Sequence, residues 1–249
     1  MLGSTLVYTG LVVMTAGLLL AVKPIDRIGM GNGQHALALA GVGVLIVGSG
    51  FLVPVSESRT PRIESRLDEF VPIWQFSEHH DIRIAAPPEQ VYRALKSVRA
   101  DEITLFNTLT WIRRGGRQSP QGILNAGNQQ PLIDVATQHG FIRLADSTPT
   151  ELVIGTIVLA PPGARRTLAA ETFKGALPPG FAVAAMNFLV KPDGVGGSLV
   201  STETRVFANT PAAERKFARY WRLIFPGSAL IRRMWLHAVR RRAMNPGAG

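Results

Sequence analysis

The segment from Ala212 to Met244 carries the sequence pattern that most constrains the fold. A stripe of mostly apolar residues recurs there at helical spacing and consists of Phe217, Tyr220, Trp221, Ile224, Ser228, Ile231, Trp235 and Ala238. Because the stripe keeps its phase through Pro226, we expect one kinked helix rather than two. Thr210 is expected as its N-cap and Pro211 as its first residue. So broad an apolar face needs a partner, and only a sheet built from the preceding residues can supply one.

Two long charge-free runs lie near the start of the chain, Leu2–Val22 and Ala36–Val55. Each is long enough to cross a hydrocarbon core of about 30 Å, and neither has the polar stripe of a soluble helix. No basic region precedes the first run and no small-residue cleavage site follows it, so we expect a retained helix rather than a signal peptide. Six glycines on the two runs suit close helix packing: Gly10, Gly17, Gly41, Gly43, Gly48 and Gly50. Residues 1–55 are therefore predicted to form an integral, two-span membrane hairpin with its loop at Lys23–His35.

Positive charge gives the predicted orientation of the hairpin. Arg59, Arg62 and Arg66 follow the second run, whereas the loop has only Lys23 and Arg27. Since basic residues favour the cytoplasmic side, we expect the remainder of the chain in the cytoplasm.

The net charge of +10 is concentrated near the C-terminus, where nine Lys and Arg and one acid, Glu214, follow Thr210. This excess is typical either of a solvated helix face or of a patch that contacts anionic lipid. No nucleic-acid motif accompanies it, so the expected partners include a membrane and exclude nucleic acid. The absence of cysteine excludes disulfides, thiolate metal sites and a cysteine nucleophile.

Strand and helix signals alternate through the middle of the chain. The charged segment 56–72 is predicted to be a linker. Alternating apolar residues predict strands at Trp74–Ala85, Phe141–Ala145, Leu152–Leu159, Phe181–Val190 and Ser198–Phe207. Helices are predicted from Pro87 onward, at Ile103–Ile112 and at Pro131–His139, and Ala160–Pro179 is expected to be irregular.

Three stretches resemble a known family: Phe76-Ser77-Glu78-His79-His80 with Ile82 to Pro88, Ser201-Thr202-Glu203-Thr204-Arg205-Val206, and Tyr220 to Arg233. With the element order, they resemble the START-like, or SRPBCC, helix-grip superfamily, and within it a bacterial family labelled polyketide cyclase/dehydrase and lipid transport. The resemblance implies an α+β domain at 73–249, in which a curved antiparallel sheet surrounds the long helix and an apolar cavity. The membrane hairpin is an addition to that fold. The resemblance implies no reaction, because the acid/base site of the cyclases has no counterpart that we can place.

Catalytic and metal-binding motifs are not found in the sequence. The five histidines form no H-E-x-x-H motif and no i, i+4 pair, so neither a metal nor another cofactor is expected. Ser228 lies inside a helix and outside a G-x-S-x-G motif, which excludes a nucleophile elbow. The glycines at 194, 196 and 197 are expected to form a turn between two strands. We therefore expect a protein without catalytic residues.

Charged residues on the first and last strands are the main candidates for a ligand site. Glu78 and His80 share a face with apolar residues, and Arg205 lies two residues from Glu203. Since the first strand lies beside the last in the resembling fold, we expect these four side chains to form one charged cluster. Exposed cross-strand pairs are the alternative, and the inward face of the last strand is left open. Apolar residues expected around a bound ligand are Met186, Trp221, Ile224 and Trp235, although such aromatics are equally typical of a packed core.

Three functions are consistent with these features. The first is a membrane-anchored module that binds a hydrophobic small molecule or lipid between the sheet and the last helix. The second is an enzyme that acts on such a ligand, and the third is a structural or interaction protein with a filled core. A cavity with a few polar groups favours the first.

Overall fold

The computed structural model describes residues 2–23, 33–118, 120–164, 169–175 and 177–245. The predicted hairpin loop falls largely on residues 24–32, which lie outside the described residues. The helices are α1 (Leu2–Val22), α2 (Gly33–Leu52), α3 (Arg66–Phe70), α4 (Pro88–Ser97), α5 (Phe106–Arg113), α6 (Leu132–Gln138), α7 (Glu171–Lys174) and α8 (Pro211–Met244), with a 3-10 turn at Ala100–Glu102. The strands are β1 (Ser58–Arg59), β2 (Ile73–Trp74), β3 (Phe76–Ile84), β4 (Ile142–Ser147), β5 (Glu151–Leu159), β6 (Ala182–Pro192) and β7 (Ser198–Ala208).

The chain divides into two compact units. The first consists of Met1–Val55 and Ala218–Pro226, and the second of Ser56–Phe217 and Gly227–Gly249. Helix α8 contributes to both units and runs unbroken through Pro226. The prediction of one helix is thus confirmed, as is its start, where the Thr210 hydroxyl accepts a hydrogen bond from the Ala213 amide (3.2 Å).

In the first unit, α1 and α2 pack against each other through glycines. A side chain at Gly10 would meet the backbone of Val47 at 2.6 Å, and one at Gly43 would meet the backbone of Met14. A side chain at Gly41 or Gly48 would meet nothing within 4 Å, so these two glycines do not serve the close approach that we predicted for all six. Both helices are long and apolar enough to cross a membrane, and most of their residues are exposed.

The part of α8 that belongs to the first unit, Ala218–Pro226, bonds to the hairpin. The buried guanidinium of Arg222 donates to the carbonyl oxygens of Phe51 (3.1 Å) and Val53, at the C-terminal end of α2. The Tyr8 hydroxyl donates to the carbonyl oxygen of Leu223 (2.6 Å). The last carbonyls of a helix have no partner within it, so Arg222 acts as a C-terminal cap. Arg222 is one of the nine basic residues that follow Thr210, and its burial contradicts a solvated position for this residue.

The second unit contains a five-stranded sheet in the order β3-β7-β6-β5-β4, with every neighbouring pair antiparallel. One face packs against α4, α6 and the residues of α8 from Ile231 onward. Trp235 lies in this core, its ring 4.9 Å from that of Phe188. The predicted α+β helix-grip arrangement, an antiparallel sheet packed on a long C-terminal helix, is confirmed.

The opposite face of the sheet is also covered. Its core contains Val153, Val183 and Ala185, which pack with residues of α3 and α7. Segment 56–72, predicted as a linker, instead contains β1 and α3, and it pairs with β2. The buried carboxylate of Glu151 accepts hydrogen bonds from the first amides of α3, including that of Arg66 (2.7 Å). A carboxylate at a helix N-terminus stabilises the helix, which explains why this short segment is helical.

Candidate functional site

The register between β3 and β7 decides which polar side chains meet. Glu78 lies opposite Thr204 and His80 opposite Thr202, and these four side chains point toward the face that packs on α8. Because side chains alternate along a strand, Glu203 and Arg205 lie on the other face. The predicted cluster of Glu78, His80, Glu203 and Arg205 is therefore wrong. The structure contains two separate clusters instead.

The outer cluster consists of Asp68, Glu203 and Arg205. The Arg205 guanidinium donates to both oxygens of Glu203 (2.7 and 3.2 Å) and to Asp68 Oδ1 (2.6 Å), and it lies 3.9 Å from the ring centroid of Trp74. Asp68 Oδ2 accepts from the amide (2.8 Å) and hydroxyl (2.9 Å) of Ser65. Burial would raise the pKa of Asp68, but these hydrogen bonds outweigh it and lower that pKa. Every charge in the outer cluster therefore has a hydrogen-bonded partner.

The inner polar site consists of Glu78, His80, Thr204 and Trp235. His80 Nδ1 accepts from Arg233 Nε (3.4 Å), so His80 Nε2 carries the proton and donates to Glu78 Oε1 (2.9 Å). Arg233 is exposed, whereas Glu78 is only 2% exposed. A chain of polar groups thus runs from the surface to a buried carboxylate.

Three buried polar atoms of the inner polar site have no hydrogen-bond partner among the described residues: Glu78 Oε2, Thr204 Oγ1 and Trp235 Nε1. Glu78 and Thr204 are cross-strand neighbours, and Met186 lies opposite Thr204 on β6. Trp235 packs on Phe188, two residues from Met186 on the same face. Glu78 and Thr204 are therefore adjacent, and all three residues lie in the layer between the sheet and α8.

Arg232 adds a positive charge near the inner polar site. Burial lowers the pKa of Arg232 to about 10, the charge of Glu78 opposes this shift, and the charge of Arg113 adds to it. The Arg232 guanidinium lies 5.6 Å from the ring centroid of Trp235. With this pKa Arg232 is charged at neutral pH, and no salt bridge joins it to Glu78 in the described part of the chain.

A basic groove opens beside the inner polar site, between β3 and α8. It has a volume of about 490 Å³ and is lined by His79, His80, Asp81, Ile82, Arg233, Leu236, His237 and Arg240. His80 is shared by the groove and the inner polar site. The groove thus reaches the polar chain that ends at Glu78.

The four apolar residues predicted around a ligand are divided between the two units. Met186 and Trp235 are buried in the core between the sheet and α8. Trp221 and Ile224 belong to the first unit, where the Trp221 ring lies 5.7 Å from that of Phe225. Only Met186 and Trp235 accompany Glu78 at the inner polar site.

Metal coordination has no support among the described residues, because no group of three or more His, Asp or Glu there could hold an ion. The donors of the inner polar site are one carboxylate, one imidazole, a hydroxyl and an indole N–H. This set suits hydrogen bonding to an organic molecule or water.

Several solved structures are similar to part of this chain, among them the following three. TTHA0849 from Thermus thermophilus is 13% identical, with 70% of this chain and 100% of that chain covered and a TM-score of 0.30. MLL2253 from Mesorhizobium loti is 14% identical, with 67% and 98% covered and a TM-score of 0.32. The Zhui aromatase/cyclase from a Streptomyces species is 13% identical, with 70% and 99% covered and a TM-score of 0.26.

No protein-family model matches the chain, and no curated protein matches it either. At such low TM-scores the three solved structures carry no functional argument. The helix-grip arrangement of this protein follows from its own strand order and packing.

Several residues of the outer cluster, the inner polar site and the basic groove were not identified from the sequence. Asp68 lies in the segment predicted as a linker, although Ser65-x-x-Asp68 has the spacing of a capping box and could have indicated a helix there. Arg233, His237 and Arg240 share a helix face by their spacing, but the sequence indicates for the arginines only a solvated face or a contact with anionic lipid. Nothing in the sequence distinguishes Thr204 from the other residues of its alternating strand.

Proposed function

We propose that this protein is a membrane-anchored binding module that holds an apolar molecule bearing a polar group between the sheet and residues 227–244 of α8. The observation that carries the proposal is the set of three buried, unpaired polar atoms at Glu78, Thr204 and Trp235. An unsatisfied buried polar group costs about 1–3 kcal/mol, so such groups usually bond to a ligand or an ordered water. Together they offer an acceptor at Glu78, a donor at Trp235 and both at Thr204.

Apolar residues surround these polar atoms. Met186, Phe188 and Trp235 are buried there, and Ile82, Ile231 and Met234 are partly buried against the same core. Binding sites for small molecules combine such apolar walls with a few placed polar groups. This composition favours an amphipathic organic ligand over water alone.

The test is to purify the full chain in uncharged maltoside micelles and identify tightly bound molecules by native mass spectrometry. We expect an organic adduct on the wild type and a lower occupancy on Thr204→Val, which removes one unpaired atom at nearly constant volume. Thr202→Val is the matched control, since the Thr202 hydroxyl already donates to the Asn187 carbonyl (2.8 Å). A wild type without any adduct, or equal losses in both variants, would overturn the proposal.

Catalysis is a second candidate, favoured by the hydrogen bond between Glu78 and His80 (2.9 Å). A carboxylate with a spare oxygen beside a histidine can serve in general acid–base chemistry. Incubating the protein with an excess of the recovered ligand distinguishes the two functions. Conversion that Glu78→Gln abolishes would establish an enzyme, whereas an unchanged mass would favour binding alone.

We further propose that α1 and α2 anchor the module in a membrane, as their length and apolar surfaces suggest. The protein should then stay in the membrane pellet after alkaline carbonate treatment, and its full release would contradict the anchor.

We propose that the second unit lies in the cytoplasm. In this cysteine-free chain, an impermeant thiol reagent applied to intact cells should label Lys23→Cys and not Val195→Cys; the reverse pattern would place the unit outside.

A further inference from the structure

We propose that the ligand carries a phosphate in addition to the polar group that meets Glu78, Thr204 and Trp235, and that this phosphate binds in the basic groove between β3 and α8. This inference rests on the proposed binding function and specifies the chemical class of the ligand. Two observations support it. Basic side chains converge on the groove, and no acidic side chain of the groove pairs with its arginines.

The groove contains far more basic than acidic groups. Two arginines, Arg233 and Arg240, and two imidazoles, those of His80 and His237, reach it from the side that packs on α8. His79 and Asp81 also border the groove, but alternation places their side chains on the other face of β3. Asp81 lies 4.0 Å from His79 Nε2 and contacts neither arginine within salt-bridge distance. Among the described residues, Arg233 bonds only to the unprotonated nitrogen of His80, and Arg240 has no ion-pair partner. The groove is therefore an unneutralised concave site rather than a network of paired charges.

Phosphate fits this set of donors better than a carboxylate does. A phosphate monoester carries up to two negative charges and three terminal oxygens, and arginine binds such groups through paired N–H donors. Two guanidinium groups and the adjacent imidazoles can supply both charge and hydrogen bonds. A carboxylate would neutralise only one of the two arginines.

The link between the groove and the inner polar site explains how one ligand could use both. His80 faces Arg233 through Nδ1 and Glu78 through Nε2. The groove volume of about 490 Å³ lies within the range of about 300–1,000 Å³ for organic ligands and exceeds what a single phosphate needs. A phosphate in the groove could thus continue into an apolar body against Ile82 and Leu236, which line the groove and pack in the same core as Trp235.

Binding should depend on pH through His237. Burial, followed by the charges of Arg240 and Arg241, lowers the pKa of His237, so this imidazole is neutral at pH 7. The other charged or titratable groups of the groove are Arg233, His79, His80 and Asp81. A bound dianion offsets the positive field and raises the pKa of His237. The phosphate should therefore bind more tightly as the pH falls, since protonated His237 then adds a donor and a charge.

The experiment compares hexyl phosphate, hexanol and inorganic phosphate by calorimetric titration of the full chain in maltoside micelles at pH 8 and pH 6.5, where most of the ester is still a dianion because its second pKa is about 6. We expect hexyl phosphate to bind at least tenfold more tightly than either of the others, and more tightly at pH 6.5. The double variant Arg233→Gln/Arg240→Gln should lose this preference while it still binds hexanol. Arg219→Gln, an exposed arginine of α8 outside the groove, is the matched control and should keep it.

The outcomes separate this inference from the proposed function. Equal binding of hexyl phosphate and hexanol would overturn the phosphate assignment and leave a hydrophobic binding module. Inorganic phosphate that binds as tightly as hexyl phosphate would identify free phosphate as the occupant and overturn its assignment to the ligand. Binding of none of the three probes would contradict both proposals.

Discussion

The two faces of strands β3 and β7 carry polar clusters that differ in how completely their hydrogen bonds are satisfied. On one face, Asp68, Glu203 and Arg205 bond to one another and to nearby backbone groups. On the other, Glu78 bonds to His80 through one oxygen, while its second oxygen and the groups of Thr204 and Trp235 have no partner among the described residues. The same two strands supply both arrangements from alternate residues.

This difference assigns different roles to the two clusters. A fully paired buried network has no donor or acceptor left for a ligand, and the loss of one member leaves an uncompensated charge. Unpaired buried atoms reduce stability unless something occupies the space beside them. The outer cluster therefore fixes α3 on the sheet, and the inner polar site is the candidate for binding. Measurements of stability can test this contrast directly.

The largest expected effect is that of Arg205→Met. The substitution leaves the carboxylates of Asp68 and Glu203 facing each other without a cation, so the free energy of unfolding should fall by about 3–5 kcal/mol. Urea unfolding of the full chain in maltoside micelles, followed by near-UV circular dichroism, measures the change. Combining it with Asp68→Asn and Glu203→Gln should recover part of the loss, because the uncompensated charges are then removed.

Arg143→Met is the matched control for this prediction. Arg143 also contacts two carboxylates, Asp134 (3.7 Å) and Asp146 (3.5 Å), but its side chain is 41% exposed. Exposed pairs contribute at most about 1 kcal/mol, so the control should change stability little. Similar losses for both variants would show that burial of the outer cluster is not what makes it strong.

The order of the helices and strands could be predicted from the sequence, but the face of β7 that points toward α8 could not. Helical and strand periodicity placed the five sheet strands and α8 within a few residues of their observed bounds. Val200, Thr202, Thr204 and Val206 alternate with Ser201, Glu203, Arg205 and Phe207, so each face of β7 holds polar and apolar residues. Because α3 and α7 cover the second face of the sheet, both faces are partly buried and alternation cannot distinguish them. That choice depends on a long-range contact, between Arg205 and Asp68.

The same reasoning applies to the basic residues of α8. By periodicity Arg222 and Arg233 both lie away from the apolar stripe. The structure instead buries Arg222 against the end of α2 and places Arg233 beside His80. Their partners are distant in sequence, so local pattern carries no information about these contacts.

The second prediction concerns the acid dependence of the outer cluster. The pKa of Asp68 is lowered in the folded protein, so its ionised form stabilises the fold above the unfolded pKa of about 3.9. This contribution is lost as the pH falls through the lower folded pKa. Asp68→Asn should cost about 2 kcal/mol at pH 7, and the difference from wild type should shrink as the pH falls below about 4. Urea midpoints measured between pH 7 and pH 3 test this, and parallel curves would contradict an ionised Asp68 in the network.

The smallest expected effect comes from two threonine-to-valine substitutions on the same face of β7, which should change the free energy of unfolding in opposite directions. Thr202 and Thr204 both point toward α8, but the Thr202 hydroxyl donates to the Asn187 carbonyl (2.8 Å), whereas the buried Thr204 oxygen has no partner among the described residues. Thr202→Val should therefore destabilise the ligand-free protein by about 1 kcal/mol, because a buried carbonyl loses its donor. Thr204→Val should stabilise it by a similar amount, because an unsatisfied hydroxyl is replaced by a methyl group of nearly the same volume.

Thermal unfolding of the two variants after the bound molecules have been stripped measures this pair of signs, and adding back the recovered ligand should shift Thr202→Val upward more than Thr204→Val. If Thr204→Val were as destabilising as Thr202→Val, the Thr204 hydroxyl would have a partner within the protein. The proposed difference between the two faces of the sheet, one with its hydrogen bonds made and one with unpaired polar groups, would then not hold at Thr204.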